Sequence, residues 1–117
     1  MTVPKDLKGD VKMRKIIINR KKSFVACASK VYIYITKEVK DFEIYKEDCL
    51  LLGYIKNGKS LEAEIEEDEV FLVAAYDNLG VFMPTDYILI PKGTDEIIVE
   101  GKTKLAPSEG NPFIFNA

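Results

Sequence analysis

Residues 53–60, Gly-Tyr-Ile-Lys-Asn-Gly-Lys-Ser, match the phosphate-binding pattern G-x-x-x-x-G-K-[S/T]. In a nucleotide-binding loop, the N-terminus of a helix follows this pattern and binds the phosphates. Here the residues after Ser60 alternate between apolar side chains and glutamates, which is the period of a half-buried strand. The glutamates would also repel a triphosphate. The sequence therefore predicts a turn between two strands rather than a nucleotide site.

Paired carboxylates are the remaining route to catalysis, because two of them can act as the acid and base of a hydrolase. The chain has no histidine, which excludes Ser-His-Asp and Cys-His arrangements and zinc sites that contain histidine. Carboxylates are plentiful on strand faces that should be solvated, so we predict no catalytic residue and no enzyme. A hydrolase that uses Glu62, Glu64 and Asp86 stays as an alternative. The wider set of candidates is Asp41, Glu43, Asp48, Glu62, Glu64, Asp77 and Asp86.

Cofactor and metal motifs are weak in this chain. The acidic residues between 62 and 69 could offer oxygen ligands to calcium, but they lack the spacing of a defined calcium loop. No G-x-G-x-x-G string follows a strand, and Cys27 and Cys49 are too few for a four-cysteine zinc site. We predict no cofactor and no metal. Both cysteines lie in apolar surroundings and are expected to be buried free thiols, with a disulfide left open.

Tyrosines offer a different kind of site. Tyr32 and Tyr34 share one face of a predicted strand, and Tyr54 falls in a neighbouring strand. Exposed, these three would form a platform for a small molecule or a glycan. The same spacing is also common where a strand face is packed, because aromatic residues favour strands. Tyr32, Tyr34 and Tyr54 are therefore candidate ligand-binding residues.

Charge is divided unevenly along the chain. Residues 1–40 contain eleven Lys and Arg against three acidic residues, and residues 41–117 contain six against sixteen. Such a split can mark a nucleic-acid or membrane surface, but pairing of basic strands with acidic strands also explains it. The isoelectric point of about 5.2 argues against nucleic acid. No apolar run approaches the roughly 20 residues of a membrane span, so no membrane insertion is expected.

Short apolar segments separated by turn residues set the predicted architecture. We expect an all-β antiparallel sandwich of about eight strands, immunoglobulin-like or jelly-roll-like, over residues 11–117, after a flexible lead-in at 1–10. Asn57-Gly58 predicts a type I′ hairpin between strands at 49–56 and 59–66. Further predictions are short strands at 23–28 and 42–45, a central strand at 70–76, a turn at 77–80, a short strand or ordered loop at 81–83 ended by Pro84, and a docked tail at 111–115. The predicted core comprises Ile16 or Ile17, Val31, Ile33, Ile35, Leu61, Ile65, Phe71, Val73, Ile88, Ile90 and Ile98.

Residues 53–61, followed by Ile90-Pro91-Lys92-Gly93 and Ile97-Ile98-Val99, resemble small bacterial β-sandwich domains of the PEGA-like kind. The resemblance implies a binding or accessory role, often beside membrane or envelope proteins, and no catalysis. Together these patterns predict a non-enzymatic protein-interaction or accessory module that pairs with a protein partner or with itself. The alternative is a small-ligand or glycan-binding domain. Few cysteines and no visible apolar leader favour the cytoplasm, with a trimmed signal or anchor left open.

Overall fold

A computed structural model of the chain describes residues 12–116, so the predicted lead-in at 1–10 lies outside the described residues. Alternating apolar and polar side chains make most of this stretch extended. The strands are β1 (Met13–Arg20), β2 (Val31–Thr36), β3 (Leu50–Ile55), β4 (Ser60–Glu66), β5 (Val70–Asn78), β6 (Val81–Ile90), β7 (Ile97–Thr103) and β8 (Phe113–Asn116). Two single 3-10 turns lie at Lys46–Asp48 and Pro107–Glu109. Across residues 12–116 no helix is long and apolar enough to cross a bilayer.

The eight strands form two four-stranded sheets, which confirms the predicted all-β class and sandwich-like architecture. Sheet A has the strand order β4-β1-β7-β8, and sheet B has the order β3-β2-β5-β6. Every strand pair is antiparallel except β1 with β7, which run parallel. The apolar inner faces of the two sheets supply the main core.

Strand β1 shows which of the predicted core residues point inward. Ile16 and Ile18 are fully buried, and Ile17 between them is only partly buried. The parallel register places Ile17 beside Ile98, so both lie on the outer face of sheet A. The prediction that Ile98 belongs to the core is therefore wrong, since its side chain is 58% exposed and Val99 is buried instead. A shift of one residue exchanges the two faces of a strand.

The predicted Asn-Gly hairpin is also wrong. Strand β3 pairs with β2 in sheet B, and β4 pairs with β1 in sheet A, so the turn between them is a corner that joins the two sheets. The Lys59 amide donates to the Lys56 carbonyl at 2.9 Å, and only Gly58 of the two central residues has a positive φ, +72°. That combination is typical of a type II turn.

The type I′ hairpin occurs elsewhere, between β5 and β6. Leu79 and Gly80 are its two central residues, with φ of +55° and +86°. Asp77 accepts a hydrogen bond of 2.7 Å from the Gly80 amide through its side chain and supports the turn. The turn predicted at 77–80 is therefore confirmed, but its type I′ geometry had no local signal, because leucine is an unfavourable residue at a positive φ.

Two predicted short strands are absent from the described residues. Residues 23–28 form a loop in which the Ala26 carbonyl accepts a hydrogen bond from Arg20, and Phe24 projects from this loop. Near 42–45 there is only a single bridge, between Lys40 and Glu43, which closes a tight turn with positive φ at Asp41 and Phe42.

Three features of β5, β6 and β8 complete the fold. Pro84 lies within β6 and does not end it, because β6 is an edge strand and has a bulge opposite Ala74 and Ala75. Strand β5 is buried on both faces from Leu72 to Ala75, as predicted for a central strand. The C-terminal segment docks on its own sheet as β8, also as predicted, with Phe113 fully buried.

Candidate functional site

The two sheets have four edge strands, β3, β4, β6 and β8, and each carries some feature that discourages pairing with another chain. Strand β4 places Glu62, Glu64 and Glu66 along its outer face. Strand β6 contains Pro84 and a bulge, and the short β8 gives its Phe115 amide to a side chain of β6. Charges, prolines, bulges and covered backbone groups are the usual protection of a sheet edge.

Strand β3 has a bulge at Leu52, where its register with β2 shifts. It has neither a charged residue nor a proline, and its sequence is Leu-Leu-Leu-Gly-Tyr-Ile. Leu50, Leu51 and Tyr54 are exposed, and the Leu51 side chain keeps 50% of its surface in solvent. The strand is held firmly from the inside, since Ile55 is buried and the missing side chain of Gly53 leaves room for Leu61 of β4. An apolar edge fixed in this way is a template for adding another strand.

The β2–β3 pairing brings two of the three candidate tyrosines together. The rings of Tyr32 and Tyr54 lie 5.9 Å apart between centroids, and the Lys30 ammonium lies 4.6 Å from the Tyr54 centroid. Tyr34 is on the same face but only 8% exposed, because it packs edge-on against Phe82 at 5.2 Å. Burial raises the pKa of the Tyr34 hydroxyl. A ligand on this face would reach Tyr32 and Tyr54, while Tyr34 belongs to a second apolar cluster.

Two open clefts adjoin this face of sheet B. One, of about 560 Å³, lies between the loop at 26–30, the β5–β6 hairpin and Gly110, with Tyr32 in its wall. The other, of about 450 Å³, lies between residues 42–45 and 84–87 and includes both Glu43 and Asp86.

The carboxylates of the second cleft are engaged in structural hydrogen bonds. The Tyr45 hydroxyl donates to Glu43 at 2.7 Å, and this bond raises the pKa of Tyr45. Asp86 accepts from the amides of Tyr87 and Phe115 at 2.9 and 2.8 Å, so it ties β8 of one sheet to β6 of the other. These contacts give both side chains a role in local structure.

The remaining candidate groups are dispersed. Glu62 and Glu64 lie on β4, an edge of sheet A, whereas Asp86 lies on β6, at the far edge of sheet B, so the structure does not assemble these three. Residues 60–66 form a strand where a nucleotide-binding loop needs a helix. Between residues 12 and 116, no three His, Cys, Asp or Glu side chains are grouped closely enough to hold a metal ion.

Both cysteines are free, but they are not both buried as expected. Cys27 lies exposed in the loop after β1, and Cys49 is partly buried. Cys27 is exposed because the predicted strand at 23–28 did not form, so no sheet covers it. Burial, with a smaller effect of Asp48, raises the pKa of the Cys49 thiol.

Two buried arginines were not anticipated from the sequence. Arg14 and Arg20 stand on the inner face of β1, at its two ends, with Ile16 and Ile18 between them. Nη1 of Arg20 donates to the carbonyls of Ser29 and Ile55 at 2.7 Å each, and Nη2 donates to the Ala26 carbonyl at 3.1 Å. The alternation with the buried isoleucines was the signal that could have identified them.

Each arginine fixes loops at its own end of the sandwich. Arg14 donates to the Pro91 carbonyl at 2.7 Å, and Arg20 secures the loop after β1. Neither has a carboxylate within ion-pair distance among the described residues, so backbone carbonyls compensate the buried charge. Burial lowers the pKa of Arg20.

Antiparallel strands sort the charged loops to opposite ends of the sandwich. We call one the basic end: loops 21–30, 56–59, 79–80 and 104–112, which hold six lysines and one glutamate. We call the other the acidic end: loops 37–49, 67–69 and 91–96, with ten acidic residues and four lysines. Contacts hold each end together, for example Asn57 to Ser23 at the basic end and the Gly93 amide to the Glu67 carbonyl at the acidic end.

The two ends differ in how their charges are paired. At the acidic end, Lys37 binds Glu66 at 3.1 Å and Lys40 lies 3.5 Å from Asp48. At the basic end, Lys104 has Glu109 at 3.4 Å, but the other five lysines have no carboxylate within 4.0 Å in the part of the chain that the structure describes. The predicted pairing of basic with acidic strands is seen at Lys15, which binds Glu62 at 3.2 Å. Most of the excess charge is left at the ends.

Comparison with models of protein families, with curated proteins and with solved structures found no match. The resemblance to PEGA-like domains therefore stays a prediction.

Proposed function

We propose that this chain is a non-enzymatic protein-interaction module that associates through the edge of β3, and that a second copy of the chain is its partner. The observation that carries the proposal is the contrast among the four edges. Among the described residues, only β3 and the shorter β8 have neither a charge nor a proline, and of these two it is β3 that exposes leucine and tyrosine side chains. The bulge at Leu52 and the bond from Arg20 to the Ile55 carbonyl cover only part of the β3 edge. Unpaired backbone groups on such an edge bind an extended strand readily.

The charges of the two ends favour a second copy over an unrelated strand. Two copies related by a two-fold axis would pair their β3 strands antiparallel and continue sheet B across the interface. In that arrangement the long axes run in opposite directions. The basic end of each copy then lies beside the acidic end of the other, and unlike charges attract at both places.

The test is the molar mass in solution, measured by size exclusion with light scattering at low salt and near half-molar salt. Six residues of edge make a small interface, so we expect a weak dimer that needs high protein concentration. At the higher salt the Debye length falls to roughly 4–5 Å, and the attraction between the ends is screened. A dimer at low salt that weakens at high salt is the expected result.

Matched variants identify the surface. Leu51→Lys puts a charge on the β3 edge and is expected to give a monomer. Ile98→Lys makes the same change on the exposed face of central strand β7 and should leave the dimer intact. A chain that is monomeric at both salts, or a dimer that survives Leu51→Lys, would overturn pairing of two copies through β3. If the chain captures a different protein and Leu51→Lys abolishes that capture, the β3 edge is still the binding surface but its partner is not a second copy.

A second candidate function is binding of a small molecule or glycan at Tyr32 and Tyr54. The contact between these rings, beside the cleft of about 560 Å³, favours it. Aromatic rings of this kind bind the apolar faces of ligands. A glycan array together with tyrosine fluorescence during titration tests it. No hit, and fluorescence that does not change on titration, would count against this function.

A further inference from the structure

We infer that the basic end docks on an anionic lipid surface, with Phe24 and Leu79 entering the boundary between headgroups and acyl chains. Phe24 stands in the loop after β1, and Leu79 stands at the tip of the β5–β6 hairpin. Both side chains are 98% exposed, the highest values among the large apolar residues of the described chain. Side chains of this size and polarity gain free energy when an apolar phase replaces water around them.

The backbone at these tips is an independent observation. Leu79 adopts φ of +55° and Ala26, in the same loop as Phe24, adopts +53°. Glycine fits such positions without steric cost and asparagine tolerates them, whereas leucine is unfavourable there. The stability of the fold therefore does not explain why an apolar side chain stands at the hairpin tip. Strained residues of this kind often mark a functional surface.

The charges around the two tips indicate that their binding partner is anionic. Lys21 and Lys22 precede Phe24, and Lys30, Lys56 and Lys59 lie in the same set of loops. None of these five has a carboxylate within 4.0 Å among residues 12–116. Lysines next to a membrane are attracted to anionic headgroups, and this attraction falls within a Debye length of the surface. Apolar tips surrounded by such lysines combine both forces that hold a peripheral protein on a membrane.

A single-stranded nucleic acid fits this end less well. Bases bind by stacking on aromatic rings that line a basic groove. The other exposed apolar side chains here, Val81 and Leu105, are aliphatic, and Lys30 already covers the Tyr54 ring. Aliphatic groups suit acyl chains, so the lipid surface is the favoured partner. Docking of this kind needs no membrane-spanning segment.

The basic end and the β3 edge are different surfaces, so an experiment can rule out membrane docking without ruling out the dimer, and the reverse. In the antiparallel pair each basic end lies beside an acidic end, which would repel an anionic surface. The membrane-bound form is therefore expected to be a single copy. Leu51→Lys, on β3, should leave vesicle binding intact.

The experiment is co-sedimentation of the full chain with vesicles of phosphatidylcholine, with and without phosphatidylserine, at about 0.1 M and about 0.5 M salt. Binding is expected only with phosphatidylserine, and weaker at the higher salt. Leu79→Asn is the decisive variant, because it relieves backbone strain while it removes the apolar tip. Its affinity for the vesicles should fall roughly tenfold or more, while its melting temperature rises. Phe24→Ser should have a similar effect on binding.

Phe42 provides the matched control, because it is also exposed with a positive φ but lies at the acidic end. Phe42→Asn should leave vesicle binding unchanged. Absence of binding to phosphatidylserine vesicles overturns the inference, as does unchanged binding of both tip variants. Tighter binding to single-stranded RNA than to vesicles, insensitive to Leu79→Asn, would replace the lipid surface with a nucleic acid.

Discussion

Asn57 and Ser23 hold each other through two hydrogen bonds of 2.9 Å. The Ser23 amide donates to Oδ1 of Asn57, and Nδ2 of Asn57 donates to the Ser23 carbonyl. The asparagine of the Asn-Gly pair therefore contributes its side chain to the loop after β1, and only the glycine supplies the positive φ of the turn. This contact fastens the corner between the sheets to the loop that displays Phe24.

Removing this contact should loosen the basic end. We expect Asn57→Ala to lower the free energy of unfolding by about 1–2 kcal/mol, since two partly buried hydrogen bonds are lost. Urea denaturation measures the change. Asn57→Asp keeps the acceptor for the Ser23 amide, but its second oxygen would face the Ser23 carbonyl as one acceptor against another, so it should not restore the stability of the original chain. Equal stability of Asn57→Ala and the original chain would show that the contact contributes nothing.

Leu79→Asn should stabilise the chain even though it removes an apolar side chain. The leucine side chain is almost entirely in solvent, so no packing is lost, and asparagine tolerates the φ of +55° far better. We expect a gain of about 0.5–1 kcal/mol, part of the roughly 1–2 kcal/mol that left-handed backbone costs an L residue. Thermal unfolding followed by circular dichroism gives the measurement. A lower melting temperature for this variant would mean that Leu79 makes contacts that the structure does not show.

Arg20→Met tests whether a buried arginine organises the basic end. Methionine keeps most of the apolar stem but leaves the carbonyls of Ser29 and Ile55 without a donor. Because Arg20 is only 2% exposed, water cannot easily replace it, and we expect a loss of about 3 kcal/mol or more. Chemical denaturation gives the free energy. Arg20→Lys should recover only part of the lost free energy of unfolding, since one ammonium cannot match the planar fork of a guanidinium. Full stability in Arg20→Met would contradict this role.

Gly101→Ala tests the packing of β7 against β8. A Cβ at this position would overlap the Phe113 ring, which is fully buried. Gly101 is not among the residues with positive φ, so space alone decides the result. We expect a cost of about 1–3 kcal/mol from overpacking. In a Phe113→Leu background the same substitution should cost less, and a double-mutant cycle measures the difference. Additive effects would argue against direct contact.

The two thiols should react at different rates with iodoacetamide. The thiolate is the reactive form, so the raised pKa of Cys49 lowers its reactive fraction at any pH below that pKa. Cys27 is exposed and should be labelled first. The Cys49 rate should continue to rise with pH above about 8.5, the ordinary thiol value. Mass spectrometry of the labelled peptides reads each site, with urea-unfolded protein as the control in which the rates converge. Faster labelling of Cys49 in the folded chain would contradict the structure.

Period-two alternation and turn residues were sufficient to predict the all-β class and about eight strands, and the almost wholly apolar run at 70–76 predicted the central position of β5. These are properties of segments a few residues long, where the side-chain period and turn residues act directly. Pairing between segments was not predictable in the same way. Asn57-Gly58 reads as a hairpin, but a corner between two sheets has the same local sequence. The exposure of Ile98 depends on its parallel register with β1, a partner some eighty residues away.

The same difference between local patterns and long-range pairing applies to the candidate surfaces. The sequence by itself determined that catalysis by histidine is impossible, that Tyr32, Tyr34 and Tyr54 are candidates for one face, and that charge is unevenly divided. Only the tertiary structure decided that Tyr34 is packed, that β3 is an edge, and that lysines from three separate loops meet at one end. Edges and ends are created by long-range strand pairing, so no local pattern of residues contains them.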